Sequence, residues 1–192
     1  MNVLIACEFS GIVRDAFRRR GHNAWSCDLL PCEGDNQNHI EEDVYFCVRP
    51  RGIHRWKWDL MIAHPPCTHL AVSGARWFRD KVKEQADAIR FVEMLWNTPI
   101  PRICIENPVG VLPRLSTLGK ATQWIQPWQF GHGETKKTGL WLKGLQELKP
   151  TNIVDGREGR VWRMPPGPDR WKERSRTYPG IAEAMAEQWG TP

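Results

Sequence analysis

The segment from Trp58 to Ser73 constrains the fold more than any other part of the sequence. It contains an apolar run, Leu60 to Ala63, that is too short for a helix and predicts a buried strand. Pro65 and Pro66 end this strand, because proline cannot donate to a β-ladder and restricts the residue before it. Cys67 therefore follows the carboxyl end of a strand, where ligands bind in open parallel α/β sheets, and is a candidate nucleophile. The alternative at this point is a buried structural thiol.

The length of 192 residues predicts a single domain over the range 1–192, with a core of adequate size. No stretch is apolar for long enough to cross a membrane, and the N-terminus, MNVLIA, predicts a strand and lacks the features of a signal peptide. We therefore expect a cytoplasmic protein with reduced thiols. Its six cysteines are scattered without a CxxC pair, so neither a disulfide framework nor a metal site is predicted.

The net charge of +5 and the pI of 9.0 are compatible with a polyanionic partner. Eleven tryptophans are unusual in so short a chain, and those that lie among arginines can stack on bases. The stretch from Cys47 to Trp58 either contacts a nucleic-acid backbone or is a solvated connector. Its basic and aromatic residues are Arg49, Arg51, Arg55, Trp56, Lys57 and Trp58.

The N-terminal part of the sequence predicts half of a nucleotide-binding unit. Val3 to Ala6 predicts a strand, Arg14 to Arg20 a helix, and Ala24 to Cys27 a second strand. A glycine turn, here at Gly11, lets a ligand approach the backbone, and an acid at the end of the second strand, here Asp28, accepts ribose hydroxyls. The sequence lacks the G-x-G-x-x-G pattern of a dinucleotide site, so the turn indicates a different nucleotide ligand.

The remaining elements predict the fold class. Apolar residues between Val82 and Trp96 recur at three- and four-residue steps and predict a helix with a core-facing stripe. Strands are predicted at Arg102 to Ile105 and at Leu140 to Leu142. A turn and helix are predicted from Ser175 to Trp189. The alternation of strands and helices predicts an α/β fold with a doubly wound, mostly parallel sheet. The segment 68–78 is expected to be a loop.

Two motifs resemble those of the DNA cytosine-5 methyltransferases. Pro65-Pro66-Cys67, followed by Ser73, resembles the family's Pro-Cys motif, and Glu106-Asn-Pro108 resembles its Glu-Asn-Val motif. They occur in the family's order along the chain. The resemblance implies a Rossmann-like S-adenosylmethionine-dependent methyltransferase fold and methylation of C5 of cytosine in DNA. It further implies that Cys67 adds to C6 of the base while Glu106 assists at N3, and we expect partial burial to raise the pKa of Glu106.

The resemblance also implies an S-adenosylmethionine site. Glu8-Phe-Ser-Gly11 resembles the family's first cofactor motif, with Val13 where a second glycine is usual. The segment from His39 to Val44 resembles the third motif, in which an acid, here Asp43, contacts the adenine amine; an exposed loop acid is the alternative. The implied cofactor-binding residues are Glu8, Phe9, Ser10, Gly11, Asp28, Asp43 and Pro65.

Lys136 and Lys137 stand where the family carries a Gln-x-Arg-x-Arg motif before a strand. The resemblance implies that such a cation polarises the O2 carbonyl of the base. The alternative is a basic turn that merely precedes the strand. The two lysines can also accommodate a donor with an extra carboxylate, such as carboxy-S-adenosylmethionine.

The segment 144–176 is rich in proline, glycine and arginine, and is expected to be an irregular basic excursion. The family inserts a target-recognition domain at this point, and about thirty residues are too few for an independent core. The target sequence and the choice between duplex, single strand and nucleotide therefore stay open. A domain this small is expected in a mobile element or bacteriophage.

The sequence is also compatible, to different degrees, with three alternatives to a cytosine-5 enzyme. One is an inactive nucleic-acid-binding relative, and another is an enzyme that acts on cytosine nucleotides. The third transfers a methyl group to an exocyclic amine and needs an acid or amide before Pro-Pro and an aromatic residue after it. His64 and Cys67 occupy those positions, so the sequence disfavours the third alternative.

Overall fold

The sheet is the centre of the computed structural model, which describes residues 1–49 and 57–191, excluding the side chain of Trp77. Within these residues it has seven strands in the order β3-β2-β1-β4-β5-β7-β6. Strand β7 is antiparallel to both of its neighbours, and the other pairs are parallel. The strands are β1 (Asn2–Ala6), β2 (Asn23–Asp28), β3 (His39–Glu41), β4 (Leu60–Ala63), β5 (Arg102–Pro108), β6 (Gln123–Ile125) and β7 (Thr138–Lys143).

Helices cover both faces of the sheet, as expected for a doubly wound fold. The α-helices are α1 (Ile12–Arg19), α2 (Val44–Val48), α3 (Val82–Trp96), α4 (Leu112–Leu115), α5 (Arg160–Arg163), α6 (Arg170–Ser175) and α7 (Pro179–Trp189). Two short 3-10 helices span Val72–Trp77 and Pro127–Gln129. None of the helices in the described ranges is long and apolar enough to cross a membrane.

Each face of the sheet has its own apolar core, because successive strand residues point to opposite faces. Val3 and Ile5 of β1 pack in the core that includes residues of α1 and α7. Leu4 and Ala6 of the same strand pack in the core that includes residues of α2 and α3. Strand β1 is therefore buried on both sides, and its carboxyl end lies between the two helical layers.

The predicted α/β class and the mostly parallel sheet are confirmed. Helix α1 begins two residues before the predicted start, and the segment 68–78 contains a 3-10 helix rather than only a loop. Strands β3 and β6 were not predicted, since each has only three residues. The predicted core stripe of α3 holds for Val92, which is fully buried, but not for Val82 at the helix start, which is 67% exposed.

Strand β5 continues three residues beyond the predicted end at Ile105. The extension exists because β7 pairs with it in antiparallel fashion as far as Pro108, opposite Thr138. The parallel partner β4 ends earlier, at Ala63 opposite Ile105. Glu106 thus lies just beyond the end of the pairing with β4, where β5 pairs only with β7.

The structure treats the two basic stretches, residues 47–58 and 144–176, differently from the sequence-based expectations. Trp58 is buried, and its indole N–H donates to the Cys47 carbonyl at 2.9 Å, so this tryptophan belongs to the core. Arg51, Arg55 and Trp56 lie outside the described residues. The segment 144–176 contains the short helices α5 and α6, which the sequence did not predict.

Candidate active site

Strands β4 and β5 end side by side and carry the predicted catalytic residues. The amide of His64 donates to the Ala6 carbonyl at 2.9 Å and extends the ladder by one residue beyond β4. Pro65 and Pro66 then turn the chain out of the sheet before Cys67. The Cys67 carbonyl accepts the amides of Leu70 and Ala71 at 3.0 and 2.9 Å, so a compact turn follows the thiol.

Two buried hydrogen bonds tie this turn to β5. The His64 Nδ1 atom lies 2.9 Å from the Glu106 Oε2 atom. The Asn107 side-chain amide donates to the Pro65 carbonyl at 3.2 Å. The side chains of His64 and Glu106 are 8% and 14% exposed, and Asn107 is 1% exposed. We call residues 64–67 with Glu106 and Asn107 the catalytic corner; buried bonds of this kind hold side chains in one geometry.

Cys67 is exposed, as is the preceding Pro66, whereas the other members of the catalytic corner are buried or partly buried. The protein atoms around its thiol reduce hydration and raise its pKa, and the negative charge of Glu106 raises it further. The positive charges of Lys136 and Arg174 oppose this shift. The charges of one carboxylate and two cations therefore act on the thiol, which is mainly protonated at neutral pH and gains nucleophilicity as the pH rises.

The pKa of Glu106 differs from the expectation. Burial raises it, but the hydrogen bond from His64, the Lys136 cation and the Thr138 side chain outweigh burial, so the pKa is lowered. The predicted rise was wrong because it considered burial alone. Glu106 is a carboxylate at neutral pH, and it therefore accepts hydrogen bonds; the Nδ1–H of His64 donates one of them.

The structure separates the two predicted lysines. The charge of Lys136 acts on both Glu106 and Cys67, and its ammonium donates to the Arg176 carbonyl at 3.2 Å. The ammonium of Lys137 instead lies 4.9 Å from the centroid of the Trp124 ring. Consecutive extended residues point to opposite sides, so only Lys136 joins the catalytic corner.

The predicted cofactor turn lies at the carboxyl end of β1. Gly11 has φ 72°, and a Cβ there would approach Arg14 Nη2 to 2.6 Å, so glycine is required. The buried Glu8 carboxylate accepts the amides of Val13 at 2.7 Å and Arg14 at 3.2 Å. The Ser10 hydroxyl donates to the same carboxylate at 3.3 Å. Glu8 and Ser10 thus shape the turn and the start of α1.

Two predicted cofactor acids lie near this turn. At the end of β1, burial raises the pKa of the Cys7 thiol, and the charges of Asp28 and Asp43 raise it further. Both acids are therefore near this end of the strand. Asp28 accepts the Leu30 amide at 3.0 Å, and Asp43 accepts the Tyr45 amide at 2.9 Å as the N-cap of α2. Each carboxylate keeps capacity for a further hydrogen bond.

Phe9 connects this turn to the segment 144–176. It is 7% exposed, and its ring centroid lies 5.8 Å from that of Trp171 in α6. The Phe9 carbonyl accepts the Glu33 amide at 3.0 Å, and the Glu33 carboxylate forms an ion pair with Arg176 at 2.7 Å. Helix α6 is therefore adjacent to the predicted cofactor turn.

Sequence reasoning missed three residues of the site: His64, Thr138 and Arg174. The position of His64 between a buried strand and two prolines was a usable signal, because strand ends carry ligand contacts. No signal in the sequence indicated Arg174, one of many arginines in its segment. Within the described ranges, no group of three histidine, cysteine or acidic side chains can hold a metal ion.

Comparison with known proteins supports the fold. No family model matches the sequence, and no curated protein matches it. Among solved structures, the chain is similar to a proposed DNA modification methyltransferase encoded within a prophage (E. coli), with a TM-score of 0.52 and 14% identity. The match covers 80% of this chain and 52% of the other, so the chain spans about half the length of that protein. The chain has the α/β fold of this methyltransferase.

Proposed function

We propose that the chain is an S-adenosylmethionine-dependent methyltransferase that modifies C5 of cytosine in DNA, with Cys67 as the nucleophile. The observation that carries the proposal is the catalytic corner. A thiol on a rigid turn and a carboxylate on the neighbouring strand act on each other electrostatically, and buried hydrogen bonds hold both. The fold shared with a methyltransferase supports the same conclusion.

The residues around β1 fit the cofactor. Gly11 gives the turn a positive φ that other residues rarely adopt, and Asp28 and Asp43 bring two acceptors to the adjacent strand ends. Asp28 would accept hydrogen bonds from the ribose hydroxyls, and Asp43 would accept one from the adenine amine. Phe9 and Pro65 would flank the pocket, with Glu8 and Ser10 holding the turn. When bound, the cofactor supplies an electrophilic methyl group on a sulfonium sulfur.

Cys67 would open the reaction on the base. Its thiol loses a proton to solvent, and the thiolate forms a bond to C6 while the electron pair of the C5–C6 double bond moves towards C5. C5 would then bond to the methyl carbon as the methyl–sulfur bond breaks, and the sulfur would keep the electron pair as a neutral thioether. Loss of the C5 proton to a base restores the double bond and breaks the sulfur–C6 bond, which releases Cys67. This chemistry requires an unstacked base, so the target nucleotide leaves any duplex.

Glu106 would stabilise the base through its negative charge. An ionised carboxylate accepts a hydrogen bond from the cytosine amine and from N3 when that nitrogen is protonated, and a protonated ring is more readily attacked at C6. His64 is the positioning residue for this carboxylate, because its Nδ1–H orients Oε2 and helps to keep Glu106 ionised. Lys136 would polarise the O2 carbonyl. Lys137 lies over Trp124 and lends no support to a carboxylated donor.

A product analysis tests the proposal. Purified protein is incubated with S-adenosylmethionine labelled in the methyl group and with cytosine-containing DNA, and the nucleosides are separated. We expect label in 5-methyldeoxycytidine, and none when Cys67→Ser replaces the wild type. Label in N4-methyldeoxycytidine or in adenine would contradict the proposal. Calorimetric absence of S-adenosylmethionine binding would favour the inactive nucleic-acid-binding relative.

A further inference from the structure

Helix α6 brings a cleft to the edge of the catalytic corner. The cleft has a volume of about 260 Å³ and is lined by Pro166, Gly167, Arg170, Trp171 and Arg174. Trp171 contacts Phe9, and the charge of Arg174 acts on the Cys67 thiol. The Arg176 carbonyl, just after α6, also accepts a hydrogen bond from Lys136. The cleft therefore adjoins the predicted cofactor turn and the Lys136 side of the catalytic corner, and we call it the α6 cleft.

Arg174 differs from the other arginines around it. Arg160 pairs with Glu134, and Arg176 pairs with Glu33. The Arg170 guanidinium donates to the Met164 carbonyl at 2.9 Å and keeps its other nitrogens free for a ligand. Arg174 is partly buried, and over residues 1–49 and 57–191 no carboxylate or carbonyl accepts a hydrogen bond from its guanidinium. Its N–H donors are therefore available to an anion.

The α6 cleft combines this cation with an exposed aromatic ring. Trp171 is 51% exposed although it contacts Phe9, so one part of its indole remains open to solvent. Trp162 in α5, in the same segment of the chain, is 64% exposed as well. Guanidinium groups bind phosphate oxygens in a fixed fork, and exposed indoles stack on unpaired bases. The pairing of these two chemistries is typical of surfaces that bind single-stranded nucleic acid.

We propose that the α6 cleft binds a phosphodiester and the adjoining base of a single DNA strand, next to the cytosine that reaches Cys67. Arg174 and Arg170 hold the phosphate, and Trp171 stacks on the base. The inference rests on the proposed function for the identity of the target base. A single strand is favoured over a duplex, because helices of four and six residues offer no element that enters a groove and opens base pairs.

Direct binding measurements test the α6 cleft without requiring catalysis. A fluorescent single strand of about 12 nucleotides with one cytosine is titrated with wild type, Arg174→Ala and Trp171→Ala. We expect Arg174→Ala to weaken binding about tenfold or more and to reduce the salt dependence by about one phosphate contact. Trp171→Ala weakens binding by about 5- to 150-fold if its indole stacks on a base. Circular dichroism melting checks that both variants fold.

Lys149→Ala is the matched control, since Lys149 is an exposed cation of the segment 144–176 that does not line the cleft. Lys172 is unsuitable because its ammonium lies 5.7 Å from the centroid of the Trp171 ring. We expect the affinity of Lys149→Ala to stay within about twofold of the wild type. Equal losses in Lys149→Ala and Arg174→Ala would overturn the proposal, because bulk charge would then explain the binding. Tighter binding of the matching duplex would overturn the single-strand assignment. Binding of deoxycytidine monophosphate alone, lost in Arg174→Ala, would contradict a strand as the source of the phosphate.

These outcomes are separable from failure of the proposed function. If the protein binds the single strand through Arg174 but transfers no methyl group, the binding role of the α6 cleft stands and the proposed reaction is wrong. If the protein methylates cytosine and Arg174→Ala has unchanged affinity, the proposed reaction stands and the binding role of the α6 cleft is wrong.

Discussion

The catalytic corner and the segment 144–176 meet at one site but are held in different ways. The corner is fixed by hydrogen bonds among side chains that are almost fully buried, such as the one between His64 and Glu106. The part of the segment that reaches the corner, helix α6, buries none of its residues and is attached by ion pairs with more exposed side chains, such as Arg176 with Glu33, which are 31% and 32% exposed. Buried bonds resist salt and water, whereas exposed pairs contribute little and are screened.

This difference suggests that the catalytic corner carries out the chemistry and that the segment 144–176 binds the strand. Covalent chemistry tolerates little error in the position of the reacting atoms, so the corner must be preorganised. A strand of variable sequence needs an adaptable surface, so a weakly attached segment with cations and exposed rings suits binding. If this division is correct, substitutions in the corner affect catalysis, and substitutions in the segment affect affinity and salt dependence.

The largest effect is expected for Glu106→Gln. The amide keeps the shape of the side chain but removes the charge that stabilises the base, so we expect methyl transfer to fall by roughly 10²- to 10⁴-fold. The same substitution removes the negative charge that raises the Cys67 pKa, so alkylation of Cys67 by iodoacetamide should become faster at neutral pH. Opposite changes in transfer and alkylation would separate lost catalysis from a damaged fold.

His64→Ala is expected to have the next largest effect. Loss of a buried hydrogen bond to a charged group costs about 1.5–3 kcal/mol, so kcat should fall by roughly 10- to 150-fold with little change in KM. Without His64 the pKa of Glu106 rises, so Glu106 becomes protonated at a higher pH than in the wild type. As the pH is lowered, the variant should therefore lose activity before the wild type does. The measurement is the pH–rate profile.

His64→Asn serves as the conservative variant, since its amide N–H replaces Nδ1–H. We expect it to recover part of kcat and to move the acid side of the profile back towards the wild type. Identical profiles for the wild type and His64→Ala would show that His64 is only structural.

A smaller effect is expected for Arg174→Ala on the thiol. Removal of this cation raises the Cys67 pKa further, so the thiolate becomes rarer and alkylation at neutral pH should slow by about two- to fivefold. High salt should weaken the difference between the variant and the wild type. Faster alkylation in the variant would contradict the placement of Arg174 beside Cys67.

The smallest effect is expected for Trp171→Ala on stability. Its ring is half exposed, so we expect the free energy of unfolding to change by no more than about 1 kcal/mol. Phe17→Ala, in the core between β1 and α7, should cost about 3–5 kcal/mol. Urea denaturation measures both, and similar losses would show that helix α6 is part of the cooperative core.

The same contrast explains what the sequence could predict. The buried strand and the two prolines before Cys67 are local signals, and they predicted the corner from a few adjacent residues. The bond between His64 and Glu106 joins positions 42 apart, and the Glu106 pKa depends on Lys136, just before β7, and on Thr138, the first residue of β7. Such couplings exist only after the sheet has assembled, which is why the pKa expectation was wrong.

The segment 144–176 was harder to predict for a different reason. Helix α6 has six residues and buries none of them, so it produces no apolar periodicity. Its position depends on one ring contact with Phe9 and on exposed ion pairs. Strands β3 and β6 escaped prediction similarly, because three residues are too few to show alternation.

The central claim is that Cys67 forms a covalent bond with C6 of cytosine in DNA. The intact mass of the protein after incubation with S-adenosylmethionine and a single strand containing 5-fluorocytosine tests it most directly. Fluorine at C5 cannot leave as a proton does, so the reaction stops at the covalent stage. The account predicts a species with the mass of protein, strand and one methyl group, absent in Cys67→Ala. An adduct that persists in Cys67→Ala, or methylated cytosine without any adduct in the wild type, would contradict it.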